Sequence, residues 1–202
     1  MTTAEGTTTL DAQYSTRESI RTWVQVAMAA FLLNLVAYAG FTTWGGIWFT
    51  VSDALGLFLA VSLIPLMVGF DVLLRPSSGR HSRMAKWIGL GGMTLAGIGS
   101  ILLLTSEVSH EFVPAGGGLG MQFVGYGLAG VWFLLLGRMT SGSGSFSKPF
   151  SSWASVTGAG FAVGSLGSPL GPDNPIVMIG ATISFIGFVM WSLLTRKEIL
   201  AR

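Results

Sequence analysis

The chain contains no cysteine. Disulfides, thiolate metal sites and thiol redox chemistry are therefore excluded. Charge is scarce as well: Asp, Glu, Lys and Arg make up 10% of 202 residues, against roughly 25% in soluble domains. A chain this poor in charge cannot cover a water-facing surface, so lipid must solvate it. Its formal charge of +2 leaves no electrostatic footprint for nucleic acid. There are two histidines, His81 and His110, and both lie outside the apolar runs. That removes a membrane-embedded bis-His haem and a Ser-His-Asp triad. Lys86, Lys148 and Lys197 sit near the ends of apolar runs, so no buried lysine is placed for a Schiff base. No basic stretch precedes an apolar core within residues 1–19. The first apolar run is thus expected to be a permanent helix, with no cleaved signal peptide. These absences make an enzyme the least expected class, and no cofactor is implied.

Half of the residues are hydrophobic, and they gather in runs of about one bilayer crossing. The clearest is DALGLFLAVSLIPLMVGFDVLL, Asp53 to Leu74, preceded by Trp44 and Trp48 and closed by Arg75. Six spans are predicted, over residues 20–40, 53–74, 84–104, 119–136, 150–170 and 175–194. The fifth is the weakest, because its serines and glycines do not favour transfer into lipid. Pro65 is expected to kink the second span. Residues 1–19 read as a flexible polar tail, residues 20–196 as the membrane domain, and residues 197–202 as a short basic tail. TSGSGSFS, Thr140 to Ser147, reads as a flexible linker. In the turn PLGPDNP, Asn174 suits an N-cap and Pro175 the first helical position.

The cations test that count. Arg17 and Arg21 precede the first span. Arg75, Arg80, Arg83 and Lys86 lie between the second and third, Arg138 and Lys148 between the fourth and fifth, and Arg196, Lys197 and Arg202 after the sixth. With six spans every Lys and Arg falls on one side. The expected fold is an all-α, six-helix integral membrane bundle with both termini cytoplasmic. It is expected in the plasma membrane.

Small residues recur four apart: Gly92, Ala96 and Ser100; Gly160, Gly164 and Ser168; Gly180 and Ser184. Such rows let helix backbones approach closely. They serve packing within the chain or a homo-oligomer.

Several polar groups lie within the apolar runs. Asp53 follows Ser52, which reads as an N-cap, so Asp53 reads as an early-turn carboxylate facing the helix dipole. At membrane depth the same carboxylate would be a cation or proton site. Asp71 and Arg75 are spaced for an ion pair on one helix face. Asn34, Gln25, Gln122 and Tyr126 must find partners in lipid. They form interhelical hydrogen bonds, or they line a small-molecule pocket together with Ser152, Ser155 and Thr157. Glu107, His110 and Glu111 carry divalent-metal ligand types, although a solvated acidic loop explains them too.

Two functions fit these features. One is a non-enzymatic structural or accessory subunit acting through helix–helix contacts, with the lipid bilayer and a membrane-protein partner or a second copy as its company. The other is a small transporter or channel with a polar pocket between the first, fourth and fifth spans, where Asn34, Asp53, Gln122, Tyr126 and Ser155 would bind ligand.

Overall fold

The computed structural model describes residues 4–44, 47–109, 115–170 and 174–200. It is all-helical. The helices are α1 (Ala4–Trp44), α2 (Ile47–Ser109), α3 (Ala115–Ser143), α4 (Lys148–Gly167) and α5 (Pro175–Leu200), with a short 3-10 turn at Ser168–Leu170. Four of them, α1, α2, α3 and α5, are long and apolar enough to cross a membrane.

Helix α2 has 63 residues. Drawn straight it would run about 95 Å, some three times the hydrocarbon thickness of a bilayer. It does not run straight. At Gly79 the backbone leaves the helical region, with φ 38° and ψ −104°. That is a left-handed φ which glycine adopts without a Cβ penalty. The limbs on either side fold back on each other: Asp71 meets Lys86 and Ser82, Gly89 meets Met67, and Gly97 meets Leu57. The predicted spans 53–74 and 84–104 are therefore two limbs of one antiparallel hairpin. Backbone dihedrals stay helical through Pro65, where a kink was expected, and depart from it at Gly79.

The other neighbours are antiparallel too. On α1 and the first limb, Asn34 pairs with Ser52 and Ile20 with Gly69. Gly92 and Gly99 of the second limb meet Gly125 and Gln122 of α3. Thr140 pairs with Ser151 across α3 and α4, and Gly160 meets Ser184 across α4 and α5. Since α5 also packs on α1, the ring of helices closes.

Aromatic rings fill the centre. Phe70, Trp132, Phe133, Phe150, Phe188 and Trp191 are each at most 2% exposed. The Phe70 ring lies 5.8–6.3 Å from Trp132 of α3, Phe150 of α4 and Trp191 of α5. These edge-on and tilted arrangements are the favourable ones for rings. Phe31 of α1 joins the cluster through Phe188 at 4.9 Å.

Residues 4–19 are helix and continuous with the rest of α1. A helix already nucleated by its apolar part adds residues at far lower cost than it starts. Two local readings need correction. Half of the supposed Gly/Ser linker is helix as well, because α3 runs to Ser143. There the Thr140 hydroxyl donates to the Leu136 carbonyl and receives the Ser151 hydroxyl, so neither needs water. Ser52 is not an N-cap: α2 starts at Ile47, which leaves Ser52 and Asp53 inside the helix and beyond its first turn. The cap expected at Asn174 is present, with its Oδ1 accepting from the Ile176 amide at 3.0 Å.

Candidate functional site

The close packing of the glycine rows sets the geometry of the polar groups. A Cβ on Gly92 would lie 2.7 Å from the Gly125 carbonyl oxygen, and one on Gly99 would lie 2.5 Å from the Gly118 carbonyl oxygen. The second limb and α3 thus touch backbone to backbone. Gly160 and Ala181 lie against Ser184 and Gly164 in the same manner between α4 and α5, with Gly180 closing on Gly164. Gly92, Ala96, Gly160, Gly164 and Gly180 therefore face helices of their own chain.

Against this scaffold a polar cluster forms in the half of the bundle away from Gly79. Gln122 of α3 donates through Nε2 to Ser100 Oγ of the second limb at 3.0 Å. One helical turn on, the Tyr126 hydroxyl donates to the Gly56 carbonyl of the first limb at 3.3 Å. Gly56 is the focus: a Cβ there would stand 3.3 Å from Gln122 Nε2, 3.4 Å from Tyr126 Oη and 3.5 Å from Ser100 Oγ. A larger residue at 56 would close the space that these three groups share. Asp53 lies one turn before Gly56, is 6% exposed, and is within electrostatic reach of Tyr126. On its other side, Asn34 of α1 donates through Nδ2 to the Ser52 carbonyl at 3.0 Å, and the Ser52 hydroxyl donates back to Asn34 Oδ1 at 3.4 Å.

So Asn34, Asp53, Gln122 and Tyr126 are brought together, but with different neighbours from those expected. The cluster belongs to α1, both limbs of α2, and α3. Ser155 of α4 stands elsewhere: it lies against Gly137 and its hydroxyl donates to the Ser151 carbonyl at 3.1 Å. Along α3, Gly137 is about 22 Å from Gln122, at 1.5 Å per residue. Thr157 returns its hydroxyl to the Trp153 carbonyl, and Gln25 and Ser152 are exposed. Ser165 is the α4 hydroxyl at the right level, and it donates to the Phe123 carbonyl at 2.8 Å. The candidate metal ligands His110 and Glu111 lie outside the described residues, as does the side chain of Glu107.

A second polar group lies at the Gly79 end. The Asp71 carboxylate accepts from Arg75 Nη2 at 2.7 Å, from Lys86 Nζ at 2.9 Å and from Ser82 Oγ at 2.8 Å. The Arg75 pair is the one that spacing along a single helix predicts. Lys86 and Ser82 reach Asp71 from the other limb, and sequence reasoning missed them. The signal was PSSG, Pro76 to Gly79, a reversal between two apolar runs that brings residues on either side of it face to face.

The register also sorts the cations. Ten of the eleven Lys and Arg residues are described, Arg202 being the exception. All ten lie in the half of the bundle that holds the Gly79 turn, the α3–α4 turn and the end of α5, where the Ser147 amide donates to Glu198 at 3.2 Å. The Asp53 cluster occupies the other half. Asp53, Gly56 and Ser100 are buried, Asn34, Ser52, Gln122 and Tyr126 half-buried, and the neutral members of the cluster bond one another. The cluster offers hydroxyl, amide and carboxylate oxygens, and no nucleophile–base pair. No family model matches this chain, and it matches neither a curated protein nor a solved structure.

Proposed function

We propose that this is a non-enzymatic multi-pass membrane protein that acts through helix–helix contacts, as a structural or accessory subunit. The observation that carries this reading is the ring-filled centre, in which Phe70, Trp132, Phe133, Phe150, Phe188 and Trp191 leave the axis of the bundle packed with side chains. A conducting or alternating-access protein needs a wet path through that region. The chain crosses the membrane six times, with both termini cytoplasmic. In support, the α2 limbs lie antiparallel, and the ten cations share one half. The Ser- and Gly-rich α4 is flanked by α3 and α5, which cover the face that lipid would not favour. Partners are other membrane proteins or a second copy, met through the lipid-facing sides.

Purification of the intact chain in mild detergent tests this. A stoichiometric membrane-protein partner, or a defined multiple of the 21.3 kDa chain, is expected. A monomer that carries no partner at any detergent concentration refutes it. Cysteines introduced at Ser143 and Ser106 test the orientation, with Ser143→Cys labelled only from the cytoplasmic side and Ser106→Cys only from the other.

One observation favours transport as a second reading. Asp53 is buried, and it lies beyond the turn where a helix dipole would explain it. A carboxylate among Gly56, Ser100, Gln122 and Tyr126 has the oxygen chemistry of a small-cation site. If that reading holds, Asp53→Asn abolishes cation-dependent uptake into vesicles and leaves the fold intact. Uptake that matches the unaltered protein removes it.

A further inference from the structure

The ten cations that share one half of the bundle are not equivalent. Arg75 and Lys86 neutralise Asp71. Arg80 and Arg83, just beyond the Gly79 turn, are exposed and form no ion pair among the described residues. The same first turns of the second limb bury Ser82 and Ala85 but expose Met84 at 49% and Trp87 at 64%. Lys86 Nζ lies 5.4 Å from the Trp87 ring centroid. One surface therefore presents two guanidinium groups on its turn side and an indole and a thioether on its apolar side.

Neither water nor hydrocarbon suits that combination. Water disfavours the exposed indole and thioether, and hydrocarbon disfavours the guanidinium groups. A lipid headgroup layer accommodates both. Tryptophan settles there, and a guanidinium forms paired, charge-assisted hydrogen bonds to phosphate. The surplus of cations nearby repels a choline headgroup and attracts one with net negative charge.

We propose that the Gly79 turn is a binding site for an anionic phospholipid of the adjacent leaflet, with Arg80 and Arg83 holding the phosphate and Trp87 anchoring the surface in the headgroup layer. The site needs only that the bundle lies in a membrane. It holds whichever side the basic half faces, and with or without a partner protein.

The test uses the intact chain in mixed micelles with equal mole fractions of phosphatidylglycerol and phosphatidylcholine, with retained lipids counted by native mass spectrometry. A cation held against the bound headgroup contributes about fivefold to such binding. The unaltered protein is expected to retain phosphatidylglycerol about tenfold or more over phosphatidylcholine. Arg80→Gln with Arg83→Gln is expected to cut that preference at least about fivefold, and Arg83→Glu alone to move it the same way. A control pair from the same half, Arg138→Gln with Arg196→Gln, should change it less than about twofold. Equal retention of the two lipids by the unaltered protein overturns the proposal. So does a loss in the control pair that matches the loss in the Arg80 and Arg83 pair, since diffuse charge would then suffice. Displacement of phosphatidylglycerol by millimolar inorganic phosphate overturns it too, because the site would then recognise a free anion.

Discussion

The Asp71 cluster at the base of the α2 hairpin supports a prediction whose magnitude follows from burial. Its carboxylate is 1% exposed, and Oδ2 receives both Arg75, 50% exposed, and Lys86, 17% exposed. Removing one partner of a buried ion pair typically costs 3–5 kcal/mol, because the stranded charge stays out of water. Lys86 escapes part of that penalty, since its flexible stem can swing the ammonium outward. A coupling of about 2 kcal/mol between Asp71 and Lys86 results. Arg75 is half in solvent, where ion pairs contribute below about 1 kcal/mol. Its bond to Asp71 also stays within one limb and does not hold the hairpin closed. Double-mutant cycles separate the two, with Asp71→Asn combined first with Lys86→Met and then with Arg75→Met. Reversible unfolding of the intact chain in mixed micelles gives the free energies. The Lys86 coupling should exceed the Arg75 coupling by about 1 kcal/mol or more, and it should fall less with added salt. Equal couplings, or the reverse order, would refute the claim that burial across the turn is what holds the limbs.

Three further outcomes follow from the same packing. Gly79→Ala should cost about 1–2 kcal/mol from its left-handed backbone alone, since no atom lies within 4 Å of the added Cβ. Gly91→Ala is equally uncrowded but sits in regular helix, so it should be neutral or stabilise by up to about 1 kcal/mol. Thermal unfolding of the two variants side by side checks the contrast. Gly92→Val should cost about 3 kcal/mol or prevent folding, because its Cβ would stand 2.7 Å from a carbonyl oxygen of α3; near-normal stability would mean that α3 can move away. Tyr126→Phe should cost about 1 kcal/mol by removing the hydroxyl from Gly56, as measured by the same unfolding assay.

How much of this was legible in the sequence depended on the distance over which a feature acts. The helical, membrane-solvated class follows from composition and run length, both properties of the chain taken locally. Asn174 is legible as a cap because an Asx residue before Pro175 leaves little alternative for the backbone. Ser52 resembles a cap for a related reason: the same residue type is common at helix starts, but here the apolar residues from Ile47 onward carry the helix several positions earlier. The hydroxyl then serves a tertiary bond to Asn34. A polar residue near an apolar run thus announces a boundary only when the backbone before it cannot be helical.

The polar cluster shows where such reading stops. Gln122 and Tyr126 share a face of α3 by spacing alone, and that was visible. What they face depends on register, and register is set by the glycines. Gly92, Gly99 and Gly125 bring α3 onto the second limb at backbone contact, which puts Gln122 against Ser100 and carries Tyr126 across to Gly56 on the first limb. Ser155 faces α3 as well, but antiparallel pairing through Gly137 sets it against the other half. The pocket drawn from residue types therefore joined groups that the fold separates. Asp71 is the same lesson with the opposite sign: spacing found its weaker partner, Arg75, and the Gly79 turn supplied the more buried one, Lys86. In a bundle of long helices, chemistry is assembled by which turn reverses the chain and which small residues set the sliding register. Replacing Gly125, whose Cβ would meet Gly92 and Ala96, should therefore disturb the Gln122–Ser100 bond more than replacing Gly117, which has open space around it.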